Sequence, residues 1–186
     1  VAKLFNAKVY LADVDKYSGQ MSPQNVIDIC EKFKLKKVKA IITMYNGGYP
    51  ANAQNFKKFK KKYNCFIIED ACHALGASYK NGKKNIKIGS CAHSDISTFS
   101  LHPLKTITTG EGGIVTTNSK KLGEKIRKLR SLGIEKNAHH WKYDVKHIGF
   151  NFRLNDFQCA LGTSQLTKIS KFILYRRKIF SNYHKL

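Results

Sequence analysis

The stretch Val38 to Asp70, VKAIITMYNGGYPANAQNFKKFKKKYNCFIIED, decides the fold. Val38 to Met44 is a near-continuous apolar run of the kind buried on both faces of a sheet. Asn46-Gly47-Gly48-Tyr49-Pro50 then breaks the chain. A helix over about Ala53 to Tyr63 turns Phe56 and Phe59 inward and leaves the lysines of Lys57 to Lys62 on a solvated face. Cys65 to Glu69 returns as a strand, with Asp70 at its end.

Working outward, Ala7 to Val14 reads as an earlier strand. Ser22-Pro23 supplies an N-cap and first-turn proline for a helix carrying Val26, Ile27, Cys30 and Phe33 on one face. The order β-α-β-α-β predicts an α/β protein with a parallel sheet and right-handed crossovers. Such sheets bind ligands beyond the carboxyl ends of their strands, which is where Asp70 lies. After it, Ala71 to Ser78 reads as a short helix, Asn81-Gly82 as a turn and Asp95 to Leu101 as a strand. A Gly-rich hairpin, Thr108 to Thr117, leads to Ser119, the N-cap of a helix ending at Gly133. Ile134 to Ile148, polar and rich in His and aromatics, reads as a loop. Asn155 or Asp156 caps a helix through about Leu166, and Lys171 to Leu186 forms a terminal helix with no stop signal. That open end, and a start at Val1 without Met, suggest a piece of a longer protein.

The formal charge of +22 on 186 residues points toward anionic partners. Of the 34 cations, however, 29 are Lys and five are Arg, whereas planar readout of bases and phosphates favours Arg. Nucleic acid is therefore disfavoured, and the Lys57 to Lys62 tract reads as a helix surface. No run approaches the roughly 18 apolar residues of a membrane span, so a soluble cytoplasmic protein without a membrane partner is expected. Five cysteines without a CxxC pair indicate reduced thiols, with neither a disulfide framework nor a metal site.

Four segments carry the chemistry: Glu69-Asp70-Ala71-Cys72-His73, Ser100-Leu101-His102-Pro103-Leu104-Lys105, Thr108-Thr109-Gly110-Glu111-Gly112-Gly113, and Gly149-Phe150-Asn151-Phe152-Arg153. Taken singly, Asp70 reads as a helix cap, His73 as a structural histidine, Ser100 as a strand hydroxyl, and Asn151 and Arg153 as loop or surface groups. Lys105 differs from its 28 siblings in following an apolar strand and Pro103 and preceding a glycine-rich turn, instead of sitting on a helix face. A lysine amine attacks carbonyls once its setting lowers its pKa. A carboxylate such as Asp70 keeps a pyridine nitrogen protonated, which makes the ring an electron sink.

In this order, the segments resemble the DegT/StrS family of pyridoxal-phosphate-dependent sugar aminotransferases over essentially the whole chain. Within it, they most resemble the branch of pseudaminic acid biosynthesis that aminates a UDP-linked 4-keto-6-deoxy-N-acetylhexosamine. The resemblance implies the central part of the large domain of a fold-type I aminotransferase, with residues 1–168 as a partial cofactor-binding domain and 169–186 starting the helix toward a C-terminal domain. It implies pyridoxal 5′-phosphate as cofactor and Lys105 as its covalent anchor and proton shuttle. Asp70 would pair with the pyridinium nitrogen, His73 hydrogen-bond the phenolic oxygen, and Ser100 bind the phosphate. Asn151 would reach the neighbouring subunit's cofactor phosphate, making the enzyme a homodimer with shared active sites. L-glutamate would be the amino donor and a keto sugar nucleotide the acceptor. His102 and Glu111 match the pattern with at most a positioning role, and Leu101 replaces the family's usual aromatic residue. The family's N-terminal phosphate-binding helix, its ring-stacking residue and its small C-terminal domain have no counterpart in these residues, so the isolated piece is expected to be inactive. Three other readings are a sugar dehydratase, in whose relatives histidine replaces the aldimine lysine, a non-catalytic basic binding module, and a non-catalytic regulatory relative.

Overall fold

The computed structural model describes residues 1–136 and 141–185. In chain order its elements are α1 (Pro23–Lys32), β1 (Ala40–Met44), α2 (Lys57–Tyr63), β2 (Phe66–Asp70), β3 (Ser78–Asn81), β4 (Lys84–Lys87) and β5 (Ile96–Ser100). There follow β6 (Gly113–Thr116), α3 (Lys120–Arg130), β7 (Ile134–Lys136), β8 (Tyr143–Val145), α4 (Asp156–Thr167) and α5 (Ile169–Tyr183). The main sheet has the order β1-β2-β5-β6. Its first two pairings are parallel and β6 returns antiparallel to β5. The expected α/β architecture, a mostly parallel sheet flanked by helices, is what the chain forms.

The helix starts follow local chemistry. Ser22 and Asn25 form a reciprocal capping box ahead of Pro23, Ser119 caps α3 through Leu122 N–H, and Asn155 and Gln158 box the start of α4. Val26 and Cys30 of α1 and Phe59 of α2 pack with Phe56, Ile41, Cys65 and Ile67 on one face of the sheet. Each large side chain buried there contributes about 1.5–3 kcal/mol. The Lys57 to Lys62 tract is a helix surface over the inward Phe56 and Phe59, as its spacing predicts.

Several elements differ from expectation. Ala7 to Val14 forms no strand: Val9, Leu11 and Val14 are exposed and no neighbour offers a ladder, without which an extended segment is not stable. The 38–44 run buries one face, not two. Ile41 and Thr43 are inside, whereas Ile42 is 58% and Met44 42% exposed. The helix expected from Ala53 begins only at Lys57, after turns in which Asn52 takes a left-handed conformation. No helix follows Asp70. Two successive tight turns, closed by Ala74 N–H to Ala71 O and Ala77 N–H to Ala74 O, lead into a β3–β4 hairpin, so β2 reaches β5 without a helical crossover. Gly76 takes a φ of +83°, a left-handed conformation that glycine adopts without steric cost and that stops helical continuation. Thr108 to Gly112 is a turn, and the hairpin it closes is β5 with β6.

Ile134 to Ile148 is not wholly a loop. Its ends pair as β7 and β8, while residues 137–140, which include His139 and His140, lie outside the described residues. Lys128 of α3 and then Lys146, at 3.0 Å, hold the Glu135 carboxyl down to about 2, tying the hairpin to the helix.

Candidate active site at the strand ends

Residues paired across neighbouring parallel strands face the same side, and alternation sends successive residues to opposite sides. Asp70 pairs with Thr98, which places Asp70, Thr98 and Ser100 on one face at the carboxyl ends of β2 and β5. Glu69 and Ser97 occupy the opposite, buried face. Asp70 is half-buried, and its Oδ1 accepts the Cys72 N–H at 3.1 Å. That turn-forming bond fixes the carboxylate at the entrance of the tight turns carrying His73.

Three sequence-predicted residues are gathered around Cys72. Burial, and then the Asp70 carboxylate against the thiol, push Cys72 up to about 11. The Lys105 charge and the Ser100 backbone act on the same thiol in the opposite direction. The thiol is therefore protonated at neutral pH, with the acid and the lysine acting on it in opposite directions. Sequence reading treats Cys72 only as one of five reduced thiols. Its place beside Asp70 becomes legible only once the following residues form turns instead of a helix.

Lys105 is half-buried in the turn after β5, its N–H bonded to His102 O at 2.9 Å. Among the described residues, neither its ammonium nor the Asp70 carboxylate forms an ion pair. Ser100 Oγ accepts the His102 N–H at 3.3 Å. His102 accepts the Leu104 N–H at Nδ1 and faces Glu111 at 3.8 Å through Nε2. Nδ1 is thus engaged within the turn, with the Glu111 carboxylate near Nε2. The Gly-rich turn is fastened beneath by Leu101 N–H to Gly112 O, Thr109 N–H to Leu101 O and Thr109 Oγ1 to Glu111 O. Gln158 of α4 adds a bond from Nε2 to Glu111 O at 3.0 Å. Leu101 is buried, so its replacement of an aromatic residue is a matter of packing.

His73 is exposed on its turn, where Nδ1 accepts the Gly47 N–H at 3.3 Å. Accepting there puts the neutral ring's proton on Nε2, pointing a donor away from the loop. The approach is close enough that a Cβ on Gly48, at φ +82°, would lie 2.6 Å from His73 O. Asn151 stands apart. It is exposed, bridges to Ser131 and accepts from Arg153 Nε at 3.2 Å. Among the described residues, no hydrogen bond joins it to Asp70, Ser100 or Lys105. Phe150 and Phe152 stack beside it at 4.9 Å. A groove of about 1370 Å³, lined among others by Thr98, Glu111, Ile114, Arg127, Phe150 and Arg153, runs between β6, α3 and this segment.

An acid and a serine at neighbouring strand ends and a lysine in the turn after β5 come together, the acid and the lysine half-buried and without ionic partners among the described residues. These residues fit pyridoxal phosphate, which needs an anion at its ring nitrogen and an amine at its carbonyl carbon.

Comparison with known proteins supports the same conclusion. Residues 1–186 match the DegT/DnrJ/EryC1/StrS aminotransferase family. The chain is 45% identical over 148 residues to the UDP-4-amino-4,6-dideoxy-N-acetyl-beta-L-altrosamine transaminase of Campylobacter jejuni, covering 80% of this chain and 38% of that protein. It is 37% identical to the GDP-perosamine synthase of Escherichia coli O157:H7, covering 98% of this chain and 47% of that protein. Among solved structures, Helicobacter pylori PseC, an aminotransferase involved in the biosynthesis of pseudoaminic acid, superposes with a TM-score of 0.77 at 35% identity, over 90% of this chain and 42% of that one. The chain thus spans less than half the length of each of these relatives. It belongs to the DegT/DnrJ/EryC1/StrS aminotransferase family.

Proposed function

We propose that this chain carries the cofactor-holding part of a pyridoxal-phosphate-dependent aminotransferase. The enzyme moves an amino group from L-glutamate to a keto sugar nucleotide of the UDP-4-keto-6-deoxy-N-acetylhexosamine type, for nonulosonic acid or surface glycan synthesis. The observation that carries this is the gathering of Asp70, Ser100 and Lys105 around Cys72, with neither the acid nor the lysine in an ion pair among the described residues. The substrate class follows the transaminase relative named above.

When bound, pyridoxal phosphate supplies the electron sink that stabilises a carbanion at the amino-bearing carbon. Asp70, half-buried, holds a proton on the ring nitrogen. Its bond from Cys72 N–H and the protonated thiol keep the carboxylate oriented. His73 donates from Nε2 to the phenolic oxygen, its tautomer set by Gly47. Ser100 binds phosphate with a hydroxyl that its contact to His102 N–H leaves free to donate. Lys105 would anchor the cofactor, and its Nζ would hold and deliver a proton as positioned general acid and base. Asn151, exposed on its bridged segment, reaches the cofactor phosphate of a second subunit in a homodimer with shared sites. Residues 1–168 form the cofactor-binding part, and α5 leads toward a further domain. Five free cysteines, three of them buried, suit the reducing cytoplasm, where the enzyme works.

An amino-transfer assay of the full-length protein that contains this chain, with L-glutamate and a panel of keto sugar nucleotides, tests the assignment. Formation of an amino sugar from a UDP-linked 4-keto acceptor is expected. Dehydration without amine transfer, or no turnover with any member, contradicts it.

A further inference from the structure

Glu69 is 4% exposed on the helix-covered face of the sheet and belongs to none of the roles above. Its register partners are Thr43 on β1 and Ser97 on β5, both buried, so a polar row crosses three parallel strands inside an otherwise apolar layer. Glu69 Oε1 accepts from Tyr45 Oη at 2.8 Å, and Oε2 accepts from Ser97 Oγ. Thr43 stands buried in the same row, and the carboxyl oxygens of Glu69 are held by these two hydroxyls. Among the described residues, no cation pairs with Glu69. A buried carboxylate is costly unless its oxygens are satisfied, and here each oxygen takes one hydroxyl from a different strand or strand end.

Each partner leads to the site. Tyr45 donates its N–H to Asp70 O at 3.1 Å and accepts the Gly48 N–H at 3.0 Å. Between these bonds lies Gly47, whose N–H sets the His73 ring. Ser97 stands three residues before Ser100, and the neighbouring Thr98 O accepts the Ala71 N–H at 2.9 Å. Thr98 Oγ1 donates to Glu69 O at 3.2 Å.

We propose that Glu69 is a positioning residue. Its carboxylate clasps the ends of β1 and β5 from behind, so that Asp70, His73 and Ser100 present themselves together on the opposite face. This rests on the cofactor assignment above. The residue acts through Tyr45 and Ser97 and touches neither cofactor nor substrate.

The test uses the full-length protein with pyridoxal phosphate and the variants Glu69→Gln, Tyr45→Phe and Ser97→Ala. Glu69→Gln keeps the shape but replaces one carboxyl oxygen by an amide donor, so that one of the two hydroxyls loses its acceptor. It should keep the native circular dichroism, weaken cofactor binding by about 10–100-fold, the scale of supporting-residue losses, and lower kcat while leaving the KM for the amino donor within about twofold. Tyr45→Phe should lose less, and the double variant Glu69→Gln/Tyr45→Phe should lose no more than Glu69→Gln alone, because both break one clasp. Amide hydrogen exchange of the cofactor-free protein should quicken at residues 45–48 and 71–74 in each. Wild-type cofactor affinity and kcat in Glu69→Gln, or additive losses in the double variant, overturn the proposal. If Glu69→Gln does not fold, wild-type affinity in both Tyr45→Phe and Ser97→Ala overturns it equally. A wild-type protein that takes up no pyridoxal phosphate sinks the functional assignment alone, and the exchange result then still decides the clasp.

Discussion

Two regions of this molecule bear the residues of one proposed active site, and they are built in opposite ways. The strand-end region, from Tyr45 to Lys105, is cross-linked through the sheet. Asp70, Ser100 and Lys105 meet around one thiol, and behind them a buried carboxylate ties neighbouring strand ends. The segment from Gly149 to Asn155 is held mainly by backbone bonds to the end of α3, Phe150 N–H to Leu129 O and Phe152 N–H to Arg130 O, and turns its side chains outward. On the proposed assignment, the contrast separates groups that must be preorganised within one chain from a group that would be offered to another. Rigid strands hold the first to sub-ångström tolerance, whereas Asn151 needs only a fixed backbone and an open approach.

The largest effect that could break this contrast lies at Asp70. Asp70→Ala in the full-length enzyme should lower amino transfer on the order of 10²- to 10³-fold, as for loss of one preorganised electrostatic group, and weaken cofactor retention. Steady-state kinetics with a cofactor titration measure both, and a fully active variant would remove Asp70 from its role. Next come the packing residues. Phe56 is 1% exposed and Phe152 68%. Phe56→Ala should cost about 3–5 kcal/mol of stability, and Phe152→Ala within about 0.5 kcal/mol. Equal losses in denaturant titrations would mean the outward segment is buried in the assembled enzyme, which sharpens the dimer proposal at that position. The smallest effect is expected at Asn151. Asn151→Ala should weaken cofactor binding by about tenfold, as for one lost hydrogen bond to a charged group. Mixing it with an inactive Lys105→Ala subunit should restore activity above that of either alone, since one site of such a heterodimer is intact. No restoration on mixing would place Asn151 within its own subunit's site or outside any site.

The places of the candidate residues were legible in the sequence, because Asp70 and Ser100 end apolar strands and Lys105 lies in the turn after β5, whereas the roles proposed for them came from the resemblance of the four segments to a family. The apolar runs around Ile41 and Ile67 and the caps at Ser22, Ser119 and Asn155 located most elements. What escaped depended on tertiary partners. Ala7 to Val14 has strand composition but no ladder to join. Ala71 to Ser78 has helix-forming alanines, yet Asp70 takes the Cys72 N–H and Gly76 adopts a φ of +83° that breaks the helical path. Glu69 looked like the neighbour of a catalytic acid. Its own task depends on alternation across three strands and on a tyrosine 24 residues away, which no local pattern encodes.

The central claim is that one lysine of 29 holds the cofactor against an acid on the neighbouring strand end. The visible absorption spectrum of the full-length protein reconstituted with pyridoxal phosphate, compared with that of Lys105→Ala, tests it most directly. The wild-type protein should show the absorbance of a lysine-bound cofactor, which borohydride reduction fixes to the peptide bearing residue 105. Lys105→Ala should lack both the band and the labelled peptide. A band of equal strength in Lys105→Ala, or reduction that labels another lysine, would contradict the account.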